Sequence, residues 1–421
     1  MSLMFKCFKL LSMIRLGYME CIKEVFDTKV CGDYDVIVAG GGVAGAAAAL
    51  AAVRNGAKTL LIEKMTVLGG LATAGHVVIY LPLCDGRGHK VVSGISEELL
   101  KASIKLSYDS LPSEWRDGPL SADTKRRYQT VFNAPAFALE IERLLLSEGV
   151  DILYDSVAVS CILEDGFCRA VVVENKSGRS AYRCRAAVDA TGDGDLFRLC
   201  GVLGETGQNY LTFWAYQMGE KSSGEPKPAI PSLLTIGDCN GGGLPEGSRT
   251  YTGIDGSQVS EFLTACHRLA YDRIAEDKGG TVLCSFPSMP QYRKTWRLCG
   301  EYTLSPADAG KNFETSIACA PDWRRPGPVY EIPFETLYSG SVKNLLAAGR
   351  NISSTGDTWE VTRVIPVAAA TGQAAGTAAA MLLSGGDSKR AELSDLSIKD
   401  LQENLVHAGA IVHIPSSAGE Q

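Results

Sequence analysis

The sequence predicts an α/β protein: a central parallel sheet with a β-hairpin layer, interrupted partway along by a cap-like region. Three observations carry this expectation. An apolar strand, a glycine turn, an alanine-rich helix and a second strand follow one another within 34–63. A further buried-type strand at 344–348 and a second alanine-rich helix at 366–383 return near the other end. Between them, 206–325 changes character, with proline-rich and glycine-rich loops. A chain of 421 residues exceeds one compact core and suits two domains or one domain with insertions.

The elements follow in order. Residues 1–33 read as an N-terminal extension, with order beginning at Asp33. Lys6 and Lys9 precede the short apolar stretch 10–14, but Arg15 interrupts it and no small-residue cleavage site follows, so an extension is expected rather than a signal peptide. Residues 34–205 form the first part of the sheet domain. Tyr34 opens the run YDVIVA, rich in β-branched residues, as expected of a strand buried on both faces. Asn55-Gly56 stops the helix that follows, and KTLLIE at 58–63 is the next buried strand. An irregular insertion spans about 76–130 and carries one helix near 95–104. Helical spacing returns at 136–147, followed by a strand at 150–154. Alternating segments at 157–163 and 169–174 flank Glu164-Asp165-Gly166, a hairpin signal. A strand at 186–190 ends on Thr191-Gly192-Asp193. The cap, 206–325, holds an amphipathic helix near 258–276. The chain returns to the first domain over 326–390 and ends in a tail, 391–421.

Composition narrows the function. The net charge is −7, and no Lys/Arg block interleaved with aromatics occurs, which argues against nucleic acid as a partner. Thirteen cysteines are scattered without CxxC pairs or zinc-like spacing, so they read as reduced thiols of a cytoplasmic protein with no metal site. No apolar run reaches membrane-spanning length.

The chemistry concentrates in the glycine turns. Gly40-x-Gly42-x-x-Gly45 follows a strand and opens a helix. The first glycine permits the turn, the second admits a pyrophosphate, and the third allows close helix–strand packing; N–H groups at the helix start, at Val43 and Ala44, face the phosphates. Glu63 ends the second strand 18 residues after Gly45, where a carboxylate can accept from both ribose hydroxyls. This is a Rossmann-like fingerprint, common to FAD and NAD. After Lys64 comes a second glycine pair, Gly69-Gly70, then Leu71, Ala72 and Thr73. That pair is unneeded for NAD and suits a backbone running along a longer, bent cofactor, so FAD is the expected ligand.

Five segments together resemble the FAD-dependent oxidoreductase family, whose nucleotide domain is shared with fumarate reductase and glutathione reductase. They are YDVIVAGGGVAGAAAA, LLIEKMTVLGGLATAG, AAVDATGDGDL, NLLAAGRNISSTG and RVIPVAAATGQAAGTAAA, and the resemblance covers about 34–385. It implies that Gly40, Gly42 and Gly45 cradle the pyrophosphate and Glu63 holds the adenosine ribose. Gly70, Ala72 and Thr73 would run beside the ribityl chain and flavin, Val157 would lie near adenine, and Ala190-Thr191-Gly192, with Asp193 beyond, would form the second FAD strand motif. Gly349-Arg350 stands where glutathione-reductase-like proteins carry Gly-Asp at the ribityl hydroxyls. Val364, Ile365 and Pro366 would start a helix aimed at the flavin pyrimidine edge, with proline suited to a first helical turn. Two departures change the family-typical substrate contacts: Gly356 replaces a common loop histidine, and Arg293-Lys294-Thr295-Trp296-Arg297 replaces a paired arginine before Gly300-Glu301-Tyr302.

For substrate chemistry the candidates are His76 as acid/base, since histidine titrates near neutrality, Arg297 and Arg363 to hold a carboxylate or steady reduced flavin, and Tyr302. The expected activity is hydride transfer between a small molecule and flavin N5. No second GxGxxG lies behind a strand, so no built-in NAD(P)H domain is expected, and a separate electron carrier is a possible partner. Three alternatives stand beside this: a structural or redox-sensing flavin, a flavin enzyme acting on tRNA, and an NAD-dependent dehydrogenase.

Overall fold

The structure, a computed structural model, describes residues 22–107, 129–219, 232–238, 243–244, 246–277, 281–383 and 391–416. At its centre lies a five-stranded sheet in the order Leu345–Ala347, Ala186–Asp189, Val36–Ala39, Thr59–Ile62, Asp151–Leu153, every neighbouring pair parallel. All residues of its three inner strands and of the edge strand Leu345–Ala347 are buried, which is why these segments read as unbroken apolar runs rather than alternations. The strand nearest the C-terminus therefore pairs beside the one at 186–189, closing the sheet across some 150 residues of intervening chain.

Two helices cover one face and explain the alanine. Helix Val43–Arg54 lies against helix Ile365–Met381, and a Cβ added at Gly372 would overlap the Ala44 carbonyl oxygen, as one at Gly376 would overlap that of Ala48. Helices this close leave no room for larger side chains, because axis separation is set by the residues at the contact. The hairpin layer is a four-stranded sheet, Lys29–Asp33, Gly178–Arg183, Phe167–Asn175 and Val157–Glu164. Its expected tight turn holds Asp165 and Gly166 at φ of 52° and 82°, the conformation that two-residue hairpin loops require.

The cap has its own sheet, Ser232–Gly237, Thr212–Gly219 and Thr281–Ser285, overlain by helix Gly256–Glu276. Phe262, Cys266 and Ala270, spaced four apart, face Phe213, Ala215 and Leu234 in a separate apolar cluster. The Asp255 side chain caps this helix, accepting from Gln258 N at 2.9 Å.

Two expectations at the ends change. Order precedes Asp33: Lys29–Asp33 pairs in parallel with Gly178–Arg183 as an edge strand. Its sequence, KVCGD, has too little apolar pattern to announce itself, and the partner strand supplies the structure. The segment after 391 is more than a tail, since helix Ile398–His407 buries Leu401 and Leu405. Part of the insertion, 108–128, and the cap loops at 225–231 and 239–242 lie outside the described residues. None of the described helices is long and apolar enough to cross a membrane, and the ten described cysteines are all free thiols.

Candidate active site

The turn after strand Val36–Ala39 is built by steric necessity. Gly40 has φ of 96°, and a Cβ there would stand 2.5 Å from the Ala190 carbonyl oxygen; one on Gly45 would overlap the Gly40 carbonyl. Gly42 differs. It caps helix Val43–Arg54, and its missing side chain faces open space, with Gly70 Cα the nearest atom at 3.9 Å. The first and third glycines thus serve packing, while the second keeps a cleft clear in front of a helix N-terminus.

The second glycine pair lies along this turn. Gly69 N donates to Gly41 O at 2.8 Å, and Thr73 Oγ1 fastens the loop by donating to the Leu68 carbonyl. Glu63 holds the same corner from the strand end, accepting from Gly41 N at 2.5 Å and Met65 N at 2.7 Å. Burial pushes its carboxyl above the usual range, against those two backbone donors.

The opposite wall comes from the return segments. Asp189, fully buried, accepts from Thr191 N, Thr191 Oγ1 and Phe197 N and so shapes the Ala190-Thr191-Gly192 turn; burial pushes its carboxyl up to about 7. Arg350 clamps two segments: it donates to Gly192 O at 2.7 Å and pairs with Asp193 in one turn, and it donates to Tyr292 O at 2.9 Å in the other. A Cβ on Gly349 would sit 2.8 Å from Ala44 Cβ, so this strand end presses directly on the first helix. Helix Ile365–Met381 starts beside it, with Val364 as N-cap and Pro366 in the first turn. Arg363, just ahead, donates to Glu360 Oε2 through Nε at 2.8 Å, and burial lowers its pKa.

One cleft gathers these pieces. Of the candidate residues it is lined by Gly40, Gly42, Val43, Ala44, Glu63, Lys64, Gly69, Gly70, Leu71 and Ala72 on one side. Val157, Ala190, Thr191, Gly192, Gly349, Arg350, Arg363 and Ile365 line the rest. Both helix N-termini, more than 300 residues apart in sequence, open onto it. Gly45, Thr73, Asp193, Val364 and Pro366 are not in the lining; the contacts above place Gly45, Thr73 and Asp193 in bonds or packing that hold it.

Three candidates for substrate chemistry stand away from this lining. His76 is buried at a left-handed φ of 54°, its ring 4.8 Å from that of Tyr216, its Nδ1 without a hydrogen-bond partner, and burial lowers its pKa. Arg297 is turned to Glu205 at 2.5 Å, and Tyr302 packs edge-on against Phe313 at 5.4 Å. The sequence reading missed other lining residues: Ala39, Ile62 and Ala348 at strand carboxyl ends, Ser156 and Ala158 beside Val157, Asp195, Ala368, and Met289 from the cap. The strand ends carried a usable signal, because ligands of open α/β sheets sit there. Met289 carried none, since only the fold brings it over the cleft.

Comparisons with known proteins agree in kind. The family model described as FAD dependent oxidoreductase matches residues 35–213 and 254–405. A tRNA uridine 5-carboxymethylaminomethyl modification enzyme, MnmG, of Protochlamydia amoebophila is 32% identical over 171 residues, 38% of this chain and 24% of that protein. Digeranylgeranylglycerophospholipid reductase of Picrophilus torridus is 32% identical over 161 residues, 38% of this chain and 39% of that one. The matched part thus spans well under half the length of either relative. Among solved structures, a geranylgeranyl bacteriochlorophyll reductase-like protein of Thermoplasma acidophilum superposes with a TM-score of 0.45 at 16% identity, covering 92% of this chain and 94% of that one. The flavin-dependent brominase Bmp2, as a triple mutant, gives 0.48 at 15% identity, covering 85% and 82%. With the family model matched across most of its length, the chain belongs to the FAD-dependent oxidoreductase family and is an enzyme that uses FAD.

Proposed function

We propose that the enzyme transfers a hydride between a small-molecule substrate and FAD held in this cleft. The observation that supports it is the convergence of two helix N-termini and four glycine-bearing segments on a single cleft. The donor set fits the cofactor: a cleared backbone cradle at Gly42 for the pyrophosphate, a buried carboxylate at Glu63 for a ribose diol, and the backbone of 69–72 along the middle. When bound, FAD would supply the two-electron redox chemistry. Free N–H groups at the start of helix Ile365–Met381, with the guanidinium of Arg363, lend positive potential to that end of the cleft. Lys64 and Arg350 hold Asp193 in place from two sides and keep the Gly192 turn fixed. His76 would act on a substrate proton only after a local shift, because its ring now lies outside the cleft wall; its unpaired Nδ1 marks it as the group to watch. The net charge of −7 favours a small molecule over a nucleic acid.

Anaerobic titration tests this reading. Protein loaded with FAD, mixed with small acids, alcohols and sugars, should lose flavin absorbance near ~450 nm with at least one class of donor, as bound flavins do on two-electron reduction. Flavin that stays oxidised with every donor, yet reduces with dithionite, would turn the reading toward a structural or sensing role.

A further inference from the structure

One ion pair runs across the cleft rather than along its wall. Strand Val36–Ala39 lies between Thr59–Ile62 and Ala186–Asp189, so the Gly40–Gly42 turn at its end has a strand end on either side. The two flanking strands stand about 10 Å apart, two interstrand spacings. Lys64 follows the end of the first and Asp193 the end of the second. Glu63 turns inward to Gly41 N and is buried, whereas the next side chain, Lys64, stands outward and is 44% exposed. Its Nζ lies 3.8 Å from Asp193 Oδ2. The pair therefore spans the carboxyl end of the central strand and joins the two walls of the cleft above the turn that offers the pyrophosphate seat.

The two ends differ in freedom. Asp193 is a fixed post: its side chain is 18% exposed and its Oδ1 pairs with Arg350. The carbonyl of Gly192, just before it, accepts from Arg350 Nε at 2.7 Å and from Thr295 Oγ1 at 3.1 Å. Against burial, Arg350 and then Lys64 hold the Asp193 carboxyl below its usual value. Asp195, two residues on, lines the cleft and feels the same lysine: burial and Asp193 raise its carboxyl, while Lys64 lowers it. Lys64 is the movable arm, long, partly in solvent and at the outer limit of ion-pair contact. A pair this exposed is weak, so it opens and re-forms readily.

We propose that the Lys64–Asp193 pair is a latch over the pyrophosphate seat, closing whether or not the seat is filled and setting how fast FAD enters and leaves. The inference rests on the cleft being the FAD site. A latch that shuts in both states slows entry and exit equally and leaves the equilibrium alone. A lysine that merely bound the pyrophosphate would lower Kd by slowing release.

The test makes two measurements on FAD-loaded protein. Exchange of its cofactor against excess isotopically labelled FAD gives the release rate, and fluorescence of FAD released on dilution gives Kd. Lys64→Met should speed exchange about two- to fivefold, the rate equivalent of one exposed ion pair, with Kd unchanged. Lys64→Arg keeps the cation and should exchange as slowly as the wild type. Raising salt from about 0.1 M to about 1 M should speed exchange in the wild type and close its gap to Lys64→Met, because screening weakens the pair. Unchanged exchange in Lys64→Met would overturn the proposal, and so would a Kd that rises in step with the release rate. Glu63→Leu separates this inference from the cofactor reading beneath it. Weakened retention in Glu63→Leu beside normal exchange in Lys64→Met would remove the latch and keep the cleft as the FAD site. Indifference of both variants would move FAD elsewhere.

Discussion

Glu63 does two jobs in one corner, and the jobs separate by substitution. Its carboxylate fixes Gly41 N and Met65 N, and it faces the cleft where a ribose diol is proposed. Glu63→Leu should therefore weaken FAD retention by about 1.5–3 kcal/mol, roughly tenfold to a hundredfold in Kd, while Glu63→Gln keeps an acceptor and loses less. Fluorescence titration of released FAD gives both values, and undiminished retention in Glu63→Leu would remove this residue from the site. Arg350 makes a different prediction. Removing it leaves the largely buried Asp193 carboxylate with the longer contact to Lys64 as its remaining ion pair, so Arg350→Met should cost about 3 kcal/mol in urea denaturation, the lower end of the range for breaking a buried pair. Arg350→Met combined with Asp193→Asn should recover much of that loss, and a simply additive double mutant would show that the pair is not coupled. Glu63 was legible because an acid at a strand end, spaced from a glycine turn, has one familiar use. Arg350 was legible as a position but not as a clamp, since its partners at Gly192, Asp193 and Tyr292 come from segments that only folding brings together.

At the scale of elements, the fold depends on two helices meeting backbone to backbone. Gly376→Val should force Ala48 and its helix aside, and overpacking of this kind costs about 1–3 kcal/mol or more. The comparison is Gly256→Ala, where no atom lies within 4 Å of the added Cβ; surface changes of that sort stay within about 0.5 kcal/mol. Melting temperatures of the two variants check the difference, and equal temperatures would mean that the helices are not held by this contact. The strands and helices of the sheet domain were readable because burial on both faces leaves apolar runs and close packing leaves alanine. The strand Lys29–Asp33 escaped notice because it is short and mostly exposed, so its local pattern is weak and its partner decides its conformation.

Over the whole molecule, buried carboxylates of opposite habit set the response to pH. Asp189 releases its proton near 7 when folded and near 3.8 when unfolded, so the stability it contributes is complete below about 4 and is lost as pH rises to about 7. Glu97 and Glu360 work the other way. Burial would raise them, but Lys101 and Lys90 beside the first, and Arg363 and Lys294 beside the second, hold both near 2, so their stabilisation is present above the ordinary value of 4.5 and lost on acidification. The urea midpoint should therefore be higher at pH 5 than at pH 7.5, and Asp189→Asn should flatten that slope; an unchanged slope would assign it to other groups. The same assembly of distant parts carries the function, with the turn at Gly40–Gly45, the pair Gly69-Gly70, the strand ends at Ala190 and Gly349 and the helix beginning at Ile365 all facing one space. A crystal structure of the enzyme with FAD tests that most directly. The dinucleotide should lie in one continuous stretch, its ribose at Glu63, its pyrophosphate at Gly42 and its flavin ring beside Ile365 and Arg363. Density that fills only the half near Glu63 and leaves the Ile365 end bare, or that lies elsewhere on the protein, would contradict it.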